Sequence, residues 1–203
     1  MRKALVILAV VAIAGAAAAQ DLIITEFMYK DDNDGGDWIE LYNRGASPIV
    51  LDGLHMVDGD PGEPHDSHGH CALVGTLASG EVLVVVADFT DFGAVYPAVT
   101  NLNANAHDPA DGDGFGLGGG GDTIFILDAL DAVVFEMTYT DDPPWPPEPD
   151  GDGPSLLLAR TDCADFSDAA NWMVGEDGGS PGVLAGTVGN EDAAWGQIKR
   201  LYQ

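Results

Sequence analysis

Short runs of β-forming residues, each bounded by Gly, Pro and Asp, recur along this chain, and that punctuation limits what it can fold into. LIITEFMY (Leu22 to Tyr29) is rich in β-formers, and WIELY (Trp38 to Tyr42) alternates between two faces. Ile49 to Met56 reads as another strand or pair, broken at Asp52-Gly53. EVLVVVA (Glu81 to Ala87) is a continuous apolar run that suits a central strand covered on both faces. Thr123 to Leu127 and Val133 to Tyr139 flank Asp128-Ala129-Leu130-Asp131, a short hairpin connection, and SLLLAR (Ser155 to Arg160) is the last clear strand. Past the N-terminal segment no window of about 11–18 residues carries a sustained helical stripe. Short strands at near-regular spacing predict an all-β sandwich or barrel, not an α/β fold. No internal repeat of fixed period is present.

The first residues set the compartment. Met1-Arg2-Lys3 is a basic start, Ala4 to Ala14 is an unbroken apolar run, and Gly15 to Ala19 are small. These are the three parts of a secretory signal peptide, with Ala17-Ala18-Ala19 as the cleavage pattern. The expected organisation is a signal peptide over 1–19, a β-domain over 20–182, and a linker with a short tail over 183–203. A membrane anchor competes with this reading. It needs ~20 apolar residues, a length reached here only by counting Gly15 and the small alanines. No cysteine supports a lipid anchor, and no later segment is long and apolar enough to span a bilayer. The expected location is secreted or extracytoplasmic, at the cell surface or in the periplasm, after export of bacterial type.

Charge then narrows the partners. Removing Arg2 and Lys3 leaves five basic residues against 34 acidic ones, a formal charge of −29 where the whole chain carries −27. An apolar fraction of 46% still supports a packed core. Such a field repels nucleic acid and anionic lipid and attracts divalent cations, so no nucleic-acid partner is expected. In an oxidising compartment the even count of two makes a Cys71–Cys163 disulfide the first expectation, across a loop of about ninety residues. The alternative is that one of the two ligates a metal.

The order of the pieces resembles the lamin-tail domain, an immunoglobulin-like β-sandwich found also in exported bacterial proteins. The matching segments are IITEFMY (Ile23 to Tyr29), DWIELYNRG (Asp37 to Gly45), IVLDGLHM (Ile49 to Met56) and GTLASGEVLVVVAD (Gly75 to Asp88). LGGGGDTIFILD (Leu117 to Asp128), DGDGPSLLLAR (Asp150 to Arg160) and a closing ANWMVGEDGGSPG (Ala170 to Gly182) follow. The resemblance implies an immunoglobulin-like sandwich with long Asp/Gly-rich loops, non-catalytic, of the kind that serves as an accessory or surface module. Trp172 is expected to pack over an open end of the sandwich. Two insertions depart from the pattern, Asp58 to Cys71 and Asn101 to Gly116, and anything individual to this protein is expected there.

Three constellations could carry chemistry. His65, Asp66, His68, His70 and Cys71 lie within seven residues, with His55 nearby, and imidazole and thiolate suit zinc or copper. The plainer reading is a solvated loop beside a disulfide. Asp31, Asp32, Asp34 and Asp37 resemble the opening of a calcium loop, but the twelfth position is Tyr42 where an EF-hand needs Glu. Weak extracellular calcium binding is the expectation. Asp111-Gly112-Asp113 and Asp150-Gly151-Asp152 are similar and equally incomplete. Glu26 and Glu40 have the look of a carboxylate pair, yet both fall on strands of the resemblance, where a structural role is expected.

The chain therefore reads as a secreted or surface-associated, non-enzymatic module whose partner is a protein or glycan at the cell surface. Its rival is a small secreted metal-binding protein or metalloenzyme using His65, His68 and His70. The tail from Trp195 to Tyr202, with Lys199 and Arg200, spaces its apolar residues as a helix does. It reads either as docking on its own acidic domain or as a recognition tag.

Overall fold

The computed structural model describes residues 21–30, 35–59, 70–104, 115–151 and 153–185. The expected signal peptide, Asp31, Asp32, Asp34, His65, His68 and the 195–202 tail lie outside the described residues. Two antiparallel sheets form a β-sandwich of immunoglobulin-like type. One runs in the order β11-β10-β1-β2-β7, built from β1 (Leu22–Met28), β2 (Trp38–Asn43), β7 (Val82–Val86), β10 (Pro154–Leu158) and β11 (Trp172–Asp177). The other runs β5-β4-β8-β9, from β4 (His55–Gly59), β5 (His70–Ala72), β8 (Gly121–Leu127) and β9 (Val133–Thr140). A two-stranded ribbon pairs β3 (Ile49–Val50) with β6 (Thr76–Leu77).

Alternation along the strands decides which side chains meet between the sheets. Phe27, Ile39, Leu41 and Leu156 face Met56, Ile126, Met137 and Tyr139, all in one buried cluster. Phe27 is its hub, with Tyr139 at 4.9 Å and Trp172 edge-on at 5.3 Å between ring centroids. Each such side chain contributes about 1.5–3 kcal/mol by leaving water. Phe27→Ala would cost about 3–5 kcal/mol, because the rings around it cannot collapse into the gap.

Ile49 to Met56 does split at Asp52-Gly53, into β3 and β4, and Asp128 closes the β8–β9 hairpin. There its carboxylate accepts from the Leu130 and Ala132 amides. The apolar run at Glu81 to Ala87 departs from expectation. It is covered on both faces, but it lies at the sheet's edge as β7. The edge is satisfied by an extended segment, for Val84 N–H donates to Asn101 and Val84 accepts from Asn103. Helix α1 (Phe89–Val95) covers the outer face with Phe92, and Asp88 caps it by accepting from the Thr90 and Asp91 amides. Trp172 opens β11 and packs on Phe27, with its indole N–H donated to the Phe166 carbonyl at 2.8 Å.

The expected Cys71–Cys163 disulfide is not formed. Both cysteines are buried, and neither is in a disulfide. Cys71 is held on β5, where its Sγ accepts from the Asn103 side chain at 3.8 Å. Cys163 follows β10, and its carbonyl is held by Arg44. Two separate anchors, one associated with each sheet, keep the sulfurs apart. Burial pushes the Cys71 thiol up to about 12, so at neutral pH it is protonated.

Candidate functional site

The strand polarity places the acid-rich connections at one end of the sandwich. β1 runs out at this end and β2 begins there, so the 30–37 connection closes on itself, with Lys30 N–H donating to Asp37 Oδ1 at 3.1 Å. β4 finishes beside the start of β8, with Gly59 paired to Thr123. β9 runs out and β10 begins at the same end. Leu117 N–H on Asp37 Oδ2 at 2.7 Å ties the two sheets together here, while Gly116 N–H on Asp58 and the Tyr139 hydroxyl on the Gly118 carbonyl fasten the 115–118 segment to its own sheet. Asp122, on β8, accepts from Gly59, Thr123 and Gly118. Burial holds its carboxyl above the usual range against those three bonds.

Among the described residues, Asp37, Asp58, Asp122, Asp141, Asp142, Glu148 and Asp150 belong to segments that open or close at this end. Among the described residues the only cation at this end is Lys30, paired with Asp150 at 2.7 Å. Arg44 and Arg160, the other described basic residues, stand at the opposite end, where Arg44 grips the Thr161 and Cys163 carbonyls and Arg160 pairs with Asp162. The described basic residues are thus divided, one at this end and two at the other. Tyr29, fully buried between Phe27 and Tyr139, has a hydroxyl without a hydrogen-bond partner among the described residues, and the charges of Asp150 and Asp141 act on it.

Of the four candidate calcium acids, Asp37 is the one described, and both its oxygens are taken by backbone N–H groups. Of the candidate histidines, His70 is described, and it lies exposed at the start of β5. There it stacks on His55, with ring centroids 4.7 Å apart and planes 13° apart, and His55 Nε2 lies 3.3 Å from Asp131 Oδ1. That cross-strand contact follows from register, since His70 pairs with Val57 and so stands diagonally across from His55 on one face. Sequence spacing put His55 merely nearby; strand pairing makes it the partner. Among the described residues no three His, Cys, Asp or Glu side chains are grouped as a metal site.

Glu26 and Glu40 are brought together, directly opposite each other on β1 and β2, and both are fully buried. They face away from the main core, beside Trp38 and Val84, and are roofed by the segment after β11. Glu26 Oε1 accepts from the Ser155 hydroxyl and the Ser180 amide, and its Oε2 from the Ser180 hydroxyl at 2.6 Å. Glu40 Oε1 accepts from the Thr25 hydroxyl at 2.6 Å and Oε2 from the Gly182 amide at 3.0 Å. A sealed pair with every oxygen engaged leaves no room for a substrate, so its chemistry is to hold the chain's closing segment.

A family model described as the Lamin Tail Domain matches residues 15–141, well over half of the chain. No curated protein matches it. The match ends at the close of β9, while β10 and β11 complete the five-stranded sheet beside β1. The sandwich, its two-sheet topology and the family match agree, and the chain belongs to the lamin-tail domain family.

Proposed function

We propose that this chain is an exported, non-enzymatic lamin-tail module that binds through the acidic end of its sandwich. The observation that carries the reading is the gathering of Asp37, Asp58, Asp122, Asp141, Asp142 and Asp150 at that end, with Lys30 as its one described cation and both described arginines at the other. Loops at one end of a rigid sandwich are where modules of this architecture carry function. The basic and apolar start from Met1 to Ala19 supports export, and the sealing of Glu26 and Glu40 supports a non-catalytic role. The partner is a cationic protein surface or a glycan at the cell surface, with extracellular calcium held among the Asp31 to Asp37 acids. Repulsion of phosphate by the net charge removes nucleic acid from the candidates.

The test compares the two ends. Exported protein carrying Asp141→Asn, Asp142→Asn and Asp150→Asn is compared with protein carrying Asp162→Asn, Asp165→Asn and Asp168→Asn, and the fraction retained at the cell surface is measured. Loss in the first set alone supports the reading. Equal loss, or none in either, overturns it.

The stacked His55–His70 pair beside Asp131 favours a second reading, transition-metal binding assisted by His65 and His68. Metal analysis of the purified chain decides it, since a stoichiometric zinc or copper would make metal binding the main function.

A further inference from the structure

We propose that Glu26 and Glu40 form a proton-operated latch, which holds the closing segment Gly178 to Val183 firmly when the pair carries a proton and loosens it when both carboxyls are charged. The segment covers the outer face of the five-stranded sheet and is fastened at both ends. Tyr96 on α1 donates its hydroxyl to the Gly178 carbonyl at 2.7 Å, and the Asn101 side chain donates to the Gly182 carbonyl at 3.1 Å. Between these points Gly179 N–H donates to the Glu176 carbonyl at 2.9 Å, and the two carboxylates hold Ser180 and Gly182. Gly179 passes so close to Trp38 that a Cβ would lie 2.6 Å from the ring, so the segment has one fitting position.

The pattern of donors lets this pair take up a proton at no loss of hydrogen bonds. Each carboxylate gives one oxygen to a backbone amide, which can only donate: Glu26 Oε1 to Ser180 and Glu40 Oε2 to Gly182. The other oxygen of each meets a hydroxyl: Glu26 Oε2 meets Ser180 and Glu40 Oε1 meets Thr25. A hydroxyl can donate or accept. A proton placed on Glu26 Oε2 or Glu40 Oε1 therefore reverses one hydrogen bond and breaks none. With both carboxyls ionised, two like charges face each other out of water, and no described ion pair neutralises either. Opening the segment, which readmits water, relieves that repulsion.

The surrounding elements reinforce this bias. β11 brings a third carboxylate, Glu176, whose charge acts on Glu26 in the same direction. β10 contributes Ser155, and the segment itself brings no titratable side chain. α1 presents Tyr96, while its Asp88 and Asp91 are exposed at the helix start. Burial first, then the neighbouring charge, holds both carboxyls above the ordinary range.

The experiment is amide hydrogen exchange on the full chain from pH about 8 to about 5.5, corrected for intrinsic exchange, with the β8 amides as internal reference. The Ser180 and Gly182 amides are expected to gain about tenfold protection relative to β8 as pH falls, and Glu40→Gln is expected to abolish that dependence. In case Glu40→Gln does not fold, carboxyl-carbon NMR titration of the unaltered chain reads the same device, and a midpoint for Glu40 well above free glutamate supports it. Protection that is flat or falls toward acid overturns the proposal, as does an ordinary glutamate midpoint or a dependence that survives in Glu40→Gln.

Discussion

The guanidinium of Arg44 donates to the Cys163 carbonyl at 2.8 Å and to the Thr161 carbonyl at 2.7 Å, tying the turn after β2 to the chain after β10. The same group lies 5.6 Å from the centre of the Phe166 ring. One planar cation thus organises a stretch of 159–171 that has little regular structure of its own. Hydrogen bonds from a charged donor contribute about 1.5–3 kcal/mol each, less when partly exposed. Arg44→Ala is expected to lower the unfolding free energy by about 2–3 kcal/mol in urea titrations, with the slope unchanged. Arg44→Lys should recover less than half, because lysine lacks the planar group that lies over the Phe166 ring. A loss under about 0.5 kcal/mol in the alanine variant would remove Arg44 from this role.

That arrangement also bears on the two thiols. Cys71 is buried with its thiol pushed up to about 12, and burial raises Cys163 as well. The thiolate is the reacting species, so both should resist a thiol reagent at neutral pH while the chain is folded. Native protein is expected to react slowly if at all, and protein unfolded in denaturant without reductant to yield two thiols per chain. Recovery of none after unfolding would mean that the sulfurs had paired.

Stability should depend on pH through the buried carboxyls. Burial, opposed by the Thr25 hydrogen bond, pushes Glu40 up from 4.5 to about 7. Between those values the native chain holds a proton that the unfolded chain has released, so stability falls as pH rises through the window. It is fully present below the unfolded value. Glu26 and Asp122 are raised for the same first reason and act with the same sign. The whole Glu40 effect is at most about 3 kcal/mol. Comparing the unaltered chain with Glu40→Gln at each pH cancels the carboxyls that do not face Glu40. From pH about 5 to about 8 the unaltered chain should lose stability relative to the variant, by melting temperature or urea midpoint. A constant difference would show that Glu40 ionises as it does in the unfolded chain.

Much of the sandwich was legible because its strands obey local rules. Trp38 to Asn43 alternates, and Asp128 to Asp131 is turn chemistry between two apolar runs, so both could be located without tertiary information. β7 reads as a central strand because a run of valines records burial on both faces, whichever element supplies the cover. Here α1 and the 101–103 segment do so, and no local pattern encodes them. β11 escaped notice because an edge strand of WMVGED has neither alternation nor an apolar run. The site was legible by type alone. Acid-rich loops stand out in the sequence, but their gathering at one end is a product of strand polarity. The disulfide expectation failed for a related reason: an even cysteine count carries no geometry. Glu26 and Glu40 could be placed on their strands from the sequence, while their bonds to Ser180 and Gly182 arise only once the closing segment crosses the sheet.

Calcium at millimolar concentration is expected to stabilise the chain, although it contains no complete calcium motif. The backbone bonds of Asp37 to Lys30 and Leu117 fix the base of the loop that carries Asp31, Asp32 and Asp34. Carboxylates so closely spaced repel one another, and a hard divalent ion that accepts several oxygens relieves the repulsion. Extracellular modules bind calcium at ~10⁻⁴–10⁻³ M, so a loosely formed site suffices. At ten times its dissociation constant one site adds roughly 1.4 kcal/mol, a shift of a few degrees in melting temperature for a domain of this size. General screening would also raise the melting temperature of so acidic a chain, and sodium chloride at matched ionic strength separates the two. The expected pattern is a rise with calcium that sodium does not reproduce and that Asp32→Ala or Asp34→Ala diminishes. Asp37→Ala should instead lower stability even without calcium, because its oxygens serve the backbone. Equal melting temperatures in calcium, chelator and matched salt would leave the acids of this loop as solubilising charge, and the acidic end would then have to recognise its partner without a bound ion.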